Sequence, residues 1–268
     1  SRLFCSIQAS ESGQTGVVKY KNIERMPFMI RIDAQGEYYS QLNEKIRECN
    51  DKEITVDNVL GQRYIGCGLA GRRIIINGTP GNAMGAYLDG SEIYVRGNAQ
   101  DAVGDTMDDG LIVIDGCAGD AIGYAMRGGE IFVRGSVGYR AGIHMKEYKQ
   151  KHPVLVVGGA AGSFLGEYQA GGTIIILGLG SSGQIVGPFC GTGMHGGEIF
   201  LRSDKPPAFL SEQVCVRDAL PEELKRVEKY INRFCEYFNY QAEELLNHRY
   251  IILSPNTSSP YRQLYTPN

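Results

Sequence analysis

The stretch "GDAIGYAMRGGEIFVRG" (residues 119–135) rewrites "QDAVGDTMDDGLIVIDG" (residues 100–116), nineteen residues earlier. Glycine and apolar positions are kept while polar ones drift, and the pattern extends in both directions. Glycines bracket "GTPGNAMG" (78–85), "GNAQDAVG" (97–104), "GCAGDAIG" (116–123), "GSVGYRAG" (135–142), "GAAGSFLG" (159–166) and "GSSGQIVG" (180–187). All but the second also carry glycine at the fourth place; that one has Gln100. Strand-like words lie between and after them: "RIIIN" (73–77), "EIYVR" (92–96), "LIVID" (111–115), "EIFVR" (130–134), "VLVVG" (154–158), "TIIIL" (173–177) and "EIFLR" (198–202). Steps of 19, 19, 19, 24, 19 and 25 residues separate them.

A nineteen-residue unit with one clear strand cannot bury its own apolar side and must stack on its neighbours. It is too short for a helical hairpin and too rich in β-branched residues. At about 3.3 Å per extended residue, it fits one coil of a parallel β-helix, with glycine supplying the corner conformations. The sequence therefore predicts an all-β core, a parallel β-helix (solenoid) of about seven coils, with a small α/β N-terminal cap and a C-terminal helix. The expected divisions are an N-terminal segment and βα cap (1–52), the β-helix (53–203), and a C-terminal helix with extended tail (204–268).

Stacking lets columns be read. The second and fourth strand positions are aliphatic throughout, from Ile74 and Ile76 to Ile199 and Leu201, and should point inward. The third carries Ile75, Tyr94, Val113, Phe132, Val156, Ile175 and Phe200, an outward apolar row that needs a cover. The chain's own helix "PEELKRVEKYINRFCEYF" (221–238), with its stripe of Leu224, Val227, Ile231 and Phe234, is the expected cover, and a partner protein is the alternative. Leu88, Met107, Met126, Met145, Gln169 and Met194 form a column read as core filler rather than a metal site. Arg96, Asp115 and Arg134 alternate in sign as a surface ladder, and Asp101 and Asp120 stack beside Asn82 as solvated turns. At the flanks, "FMIRIDA" and "YYSQLNEKIRECND" read as a strand and helix over the first coil, and "LSPNTSSPYRQLYTPN" as an extended surface tail.

Net charge is -3, with no dense block of one sign, so neither nucleic acid nor a membrane is an expected partner. No transmembrane run or signal peptide is read. Seven scattered cysteines without a CxxC suit reduced thiols and a cytoplasmic protein. No nucleophile elbow, Walker sequence, HExxH or zinc pattern occurs. "GLGSSG" (178–183) lacks phosphate-loop spacing. His144 and His152 lie in an insertion (143–153) expected to bulge from the stack, with Tyr148 and Lys151 as its partner-facing candidates; His195 is read as a corner residue. The expected catalytic, cofactor-binding and metal residues are none, and the expected cofactors are none.

The repeated G-x-x-G-x-x-x-G followed by a strand resembles the GXGXG family, the domain at the C-terminal end of the glutamate synthase large subunit, and the resemblance implies that the parallel β-helix is right-handed. "NVLGQRYIGCGL" (58–69), "GNAQDAVGDTM" (97–107), "GYRAGIHMKEY" (138–148) and "GTGMHGGEIFLR" (191–202) are similar to its free-standing form, glutamate synthase domain 3. The C-type subunit of formylmethanofuran dehydrogenase shares the repeat. The resemblance covers about residues 28–203, and "SPYRQLY" (259–265) in the tail is part of it. It implies a scaffold with no catalytic site of its own, belonging to an oxidoreductase complex. Its partners would be glutaminase and FMN/iron–sulfur synthase modules, which it helps couple in nitrogen assimilation. A homo-oligomer is compatible with this. A scaffold like that of formylmethanofuran dehydrogenase and a stand-alone β-helix enzyme or ligand-binding protein are the alternatives. Cys5 has no glutaminase context and inherits no nucleophile role.

Overall fold

The computed structural model describes residues 30–256. Cys5, most of the tail and the start of the first strand word lie outside the described residues. The chain runs β1 (Ile30–Asp33), α1 (Tyr39–Glu48), β2 (Glu53–Leu60), β3 (Arg73–Thr79), β4 (Asp89–Arg96), β5 (Asp109–Ile114) and β6 (Glu130–Val133). It continues through β7 (Val154–Val157), β8 (Ala170–Ile176), β9 (Gly196–Arg202), β10 (Val214–Asp218), α2 (Pro221–Phe238), α3 (Ala242–Leu246) and β11 (Tyr250–Pro255).

All eleven described strands belong to one sheet, ordered β1-β2-β3-β4-β5-β6-β7-β8-β9-β11-β10. Pairing is parallel from β1 to β9 and antiparallel where β11 meets β9 and β10. This corrects the expected parallel β-helix: the architecture is a single, open, mixed sheet. Two physical causes are visible. Outside the sheet, the repeats contribute only isolated bridges, Ala99 to Ala118, Val137, Ala161 and Val186, because left-handed residues on one side cut each extended run short. And the chain, after crossing the sheet as α2, returns in the opposite sense as β11.

Within the sheet the repeat register is as the spacing implies. Ile74, Ile93, Ile112, Ile131, Leu155, Ile174 and Ile199 align across β3 to β9, each fully buried. With Ile76, Val95, Ile114, Val133, Val157, Ile176 and Leu201 they form the inner core, closed by the connecting turns through Met84, Val103, Ile122 and the Leu88–Met107–Met126–Met145 column. Gly104 shows why the last glycine of the motif is fixed. Its φ is +66°, and a Cβ there would stand 2.5 Å from the Cδ1 of Ile131 in β6. A side chain there would be strained at that φ and would have to push the Ile131 side chain aside.

α1 buries Leu42 and Ile46 in this core, and Arg72 donates to the Ile46 and Arg47 carbonyls at 2.6 and 3.1 Å, closing the helix's C-terminal end. The outward row is covered by α2 from Val113 to Phe200, through Val227, Ile231, Phe234 and Phe238. Ile75 and Tyr94, beyond the helix, are only half-buried. Leu253–Pro255, read as tail, belong to β11.

The last repeat sits four residues away from its expected alignment. Ala161 bridges Val186, and the N–H groups of Gly187 and Gly191 donate to the Ala161 and Leu165 carbonyls. Gly187 therefore answers Gly162, and "QIVGPFCG" (184–191), not "GSSGQIVG", is the repeated word. The extra residues precede it: a Cβ on Gly183 would meet nothing within 4 Å, whereas one on Gly187 would stand 2.5 Å from the Ser163 nitrogen.

Candidate functional site

The residues singled out by sequence fall into three places. The first is the turn edge, where the connecting segments stack beside the sheet. Asp101 and Asp120 are not merely solvated. The Asp101 carboxylate accepts the Asp120 backbone N–H at 2.9 Å, and Asp120 accepts that of Tyr139 at 2.7 Å. Asn82 begins the ladder, accepting the Asp101 N–H at 3.4 Å. The fourth-place glycine makes room for it, since a Cβ on Gly119 or Gly138 would come within 2.0 Å of the preceding carboxylate oxygen. The side chains thus satisfy backbone donors between repeats.

The same edge carries a row that sequence reasoning missed. Tyr64, Tyr87, Tyr168 and Phe189 occupy left-handed conformations (φ 53–64°) and are exposed. Tyr124 and Tyr139 are exposed beside them. His144 stacks on Tyr168 at 5.2 Å and meets Tyr124 edge-on at 5.8 Å, while Phe164 stacks on Phe189 at 5.1 Å under Arg140. Left-handed aromatic residues are costly. The signal was available: aromatic residues recur at fixed offsets inside and just after the glycine motif.

The second place is a cleft of about 380 Å³ where α2 meets the 143–153 insertion, lined by Asp109, Glu130, Lys151, His152 and Arg233. The insertion folds back rather than standing free. Lys151 reaches Asp89 at 3.3 Å, and His152 bridges Glu147 at 2.5 Å and Thr173 at 2.9 Å. Arg233 pairs closely with Glu130, bonds the Tyr237 hydroxyl at 2.8 Å and lies over Phe132. Burial raises the Glu130 carboxyl, with Arg233 and Lys229 opposing it. Its cations are already partnered, and the Arg233–Glu130 pair ties α2 to β6. Tyr148 remains exposed at its tip.

The third is the uncovered end of the outer face. Arg73, Ile75, Tyr94, Arg96, Tyr237 and Phe238 bound a cleft of about 460 Å³. Burial, then the Glu92 carboxylate, pushes Tyr94 up to about 12. Of the expected charge ladder only Arg134–Asp115 closes, at 3.0 Å. The methionine column is core, and no group of three or more metal-ligating side chains occurs among the described residues. His195 contacts the Gly193 carbonyl at 3.3 Å in its corner. Burial alone pushes the Cys190 thiol up to about 12, and all six described cysteines are unpaired. No helix among the described residues is long and apolar enough to cross a membrane.

Comparison with known proteins follows these features. The chain is 44% identical to an uncharacterized protein of Methanocaldococcus jannaschii, covering 88% of this chain and 96% of that protein. Its fold is similar to a chain in the crystal structure of the formyltransferase/hydrolase complex (FhcABCD) from Methylorubrum extorquens in complex with methylofuran. That likeness has a TM-score of 0.56 and 18% identity, and covers 84% of this chain and 92% of the other. The GXGXG motif family matches residues 40–255, from α1 to the end of β11. A match that spans both the glycine-fixed turn edge and the sheet it closes establishes that the chain belongs to the GXGXG motif family.

Proposed function

We propose that the protein is a non-catalytic scaffold subunit of an oxidoreductase-type, multisubunit complex that handles one-carbon formyl groups, in the manner of the repeat-bearing component of formylmethanofuran dehydrogenase. The observation that carries this is the fold likeness to a chain of a formyltransferase/hydrolase complex, which covers nearly all of that chain. The surface agrees with it. The conspicuous groups are exposed aromatic rings and structural carboxylates, arranged for contact rather than for bond making. A glutamate synthase-like assembly, with glutaminase and synthase partners, is the second reading, favoured by the words "NVLGQRYIGCGL" and "GTGMHGGEIFLR". A cytoplasmic location belongs to both readings, supported by the six unpaired cysteines.

The test is purification of the tagged chain from its native source at endogenous level, with identification of stoichiometric partners. Formyl-transferring or dehydrogenase subunits are expected. Glutaminase and flavin-dependent synthase subunits would replace the first reading by the second. Recovery of the chain alone, or with steady catalytic turnover of its own, would overturn both.

A further inference from the structure

We propose that β10 is the interface of a homodimer, adding antiparallel to the β10 of a second copy of this chain across a two-fold axis at Val216. The inference goes beyond the scaffold reading and does not depend on it.

Backbone direction comes first. β10 ends the sheet, and among the described strands only β11 pairs with it. The Ala219 N–H donates to the Tyr250 carbonyl at 2.9 Å, and the Asn256 N–H to the Gln213 carbonyl at 2.8 Å. Both bonds join residues directly opposite in the register, so the odd-numbered residues of β10 turn their backbone groups toward β11. Those of Val214, Val216 and Asp218 therefore face outward. Two of them are used within the chain: the Val214 N–H donates to the Ser211 carbonyl at 3.0 Å, and the Asp218 carbonyl accepts from Arg217 at 3.3 Å. What the edge still offers is the Val216 N–H and carbonyl, the Asp218 N–H and the Val214 carbonyl. Set against itself with Val216 opposite Val216, this group is self-complementary. The two Val216 residues exchange a pair of bonds, and each Asp218 N–H reaches the Val214 carbonyl of the other copy.

Side chains fit the same register. Free strand edges are usually guarded by charge or proline. β1, the opposite edge, carries Arg31 and Asp33 among its four residues, whereas β10 opens with Val214, Cys215 and Val216. Large apolar side chains gather around it: Phe209, Val216 and Leu220 are 73%, 37% and 49% exposed. In the dimer Val216 meets its own copy, beside the two Val214 side chains that already belong to the inner core. Charge permits this. The charged residues from 209 to 220 are Glu212, Arg217 and Asp218. Arg217 is held by Glu223, and Asp218 by Arg249, both at 2.7 Å. Arg217 falls opposite Cys215 and Asp218 opposite Val214, so no like charges face each other. Neighbouring two-fold registers are poorer. Centring on Arg217 sets two guanidinium groups opposite, and centring on Cys215 needs the Val214 N–H that Ser211 already holds.

Such an interface is small, so association should depend on concentration. Sedimentation of the full chain under reducing conditions, from about 1 to 200 µM, should show a reversible monomer–dimer equilibrium half-formed at tens of micromolar. Val216→Lys sets two ammonium groups opposite each other and should weaken the dimer about tenfold or more. Val216→Pro removes a donor that β11 does not use, which an edge strand tolerates, and should weaken it similarly. Both variants should melt with the parent at the dilute end. Residues paired in this way lie about 5.5 Å apart, within disulfide reach. Val216→Cys, treated with copper phenanthroline and dioxygen, should therefore form an interchain disulfide. Tyr148→Cys, exposed on the insertion, should cross-link no more than the parent. A parent that stays monomeric, a dimer that either edge variant leaves unchanged, or equal trapping at position 148 overturns the interface. If an edge variant melts early, the disulfide trap decides.

Discussion

The two faces of the sheet are built from the same strands yet held in different ways. The inner face is a product of repetition: each aliphatic side chain rests on its equivalent one repeat away, and the cover is the repeats' own turns. The outer face is covered by a single helix, recruited from outside the repeat and fastened by one-off pairs, Arg233 to Glu130 and Arg226 to Glu198. Repetition makes order that is shared among many positions. A single cover makes order that depends on a few, and it stops short, leaving Ile75 and Tyr94 half-buried.

That contrast can be broken by experiment. Ile112→Asp places a charge in the inner column, where Ile112 is fully buried. It should cost more than about 4 kcal/mol and unfold the sheet as a unit, read by urea denaturation; a parent-like midpoint would refute the shared inner face. Phe234→Ala, also fully buried, should cost about 3–5 kcal/mol. Its hydrogen exchange should rise in α2 before the amides of β6 to β8 open. Simultaneous exchange of α2 and these strands would show that cover and sheet are one cooperative unit after all.

A finer test lies at the start of α2. Both Glu223 oxygens take Arg217 at 2.7 Å, and Oε2 also accepts the Leu220 N–H at 2.9 Å. This holds the carboxyl down to about 2, chiefly through Arg217. A depressed carboxylate stabilises the fold above its unfolded value of about 4.3 and loses that contribution as pH falls through the folded value. Glu223→Gln should therefore cost about 1–3 kcal/mol near neutrality, with the deficit narrowing as pH drops from about 5 toward 2. Thermal melts across that range read it, and a constant deficit would assign the loss to packing. The smallest effect is expected from Asp115→Asn at the exposed pair with Arg134, within about 0.5 kcal/mol; a larger shift in chemical denaturation would mean the ladder matters more than its exposure implies.

What the sequence disclosed follows the same division. Periodicity gave the register of β3 to β9 and the buried columns, because equivalent positions repeat their chemistry. The stripe on α2 gave the outer cover. The β-helix expectation failed because the glycine words look like further strands, yet left-handed residues such as Ala102 and Thr106 limit them to single bridges. β2 escaped notice because the polar pair Asp57–Asn58 interrupts its apolar run, at the place where Asn58 turns left-handed (φ +57°) and the register shifts. In the last repeat Gly183 mimicked a motif glycine that the bridges assign to Gly187. Glu130 and Arg233 meet across 103 residues, and the carboxylate ladder depends on which backbone donors lie above it. Neither leaves a local trace.

A stack of parallel strands has no natural last member, since each new strand offers the next the edge it was itself offered. β11 ends the series by running the other way against β9, pairing Tyr250–Leu253 with Ile199–Arg202, and β10 then closes over it. A further parallel strand, whether from a duplicated repeat or from a neighbouring molecule, finds no vacant edge on β9. At this end of the sheet the parallel series is therefore closed, and a further repeat could enter only before β9.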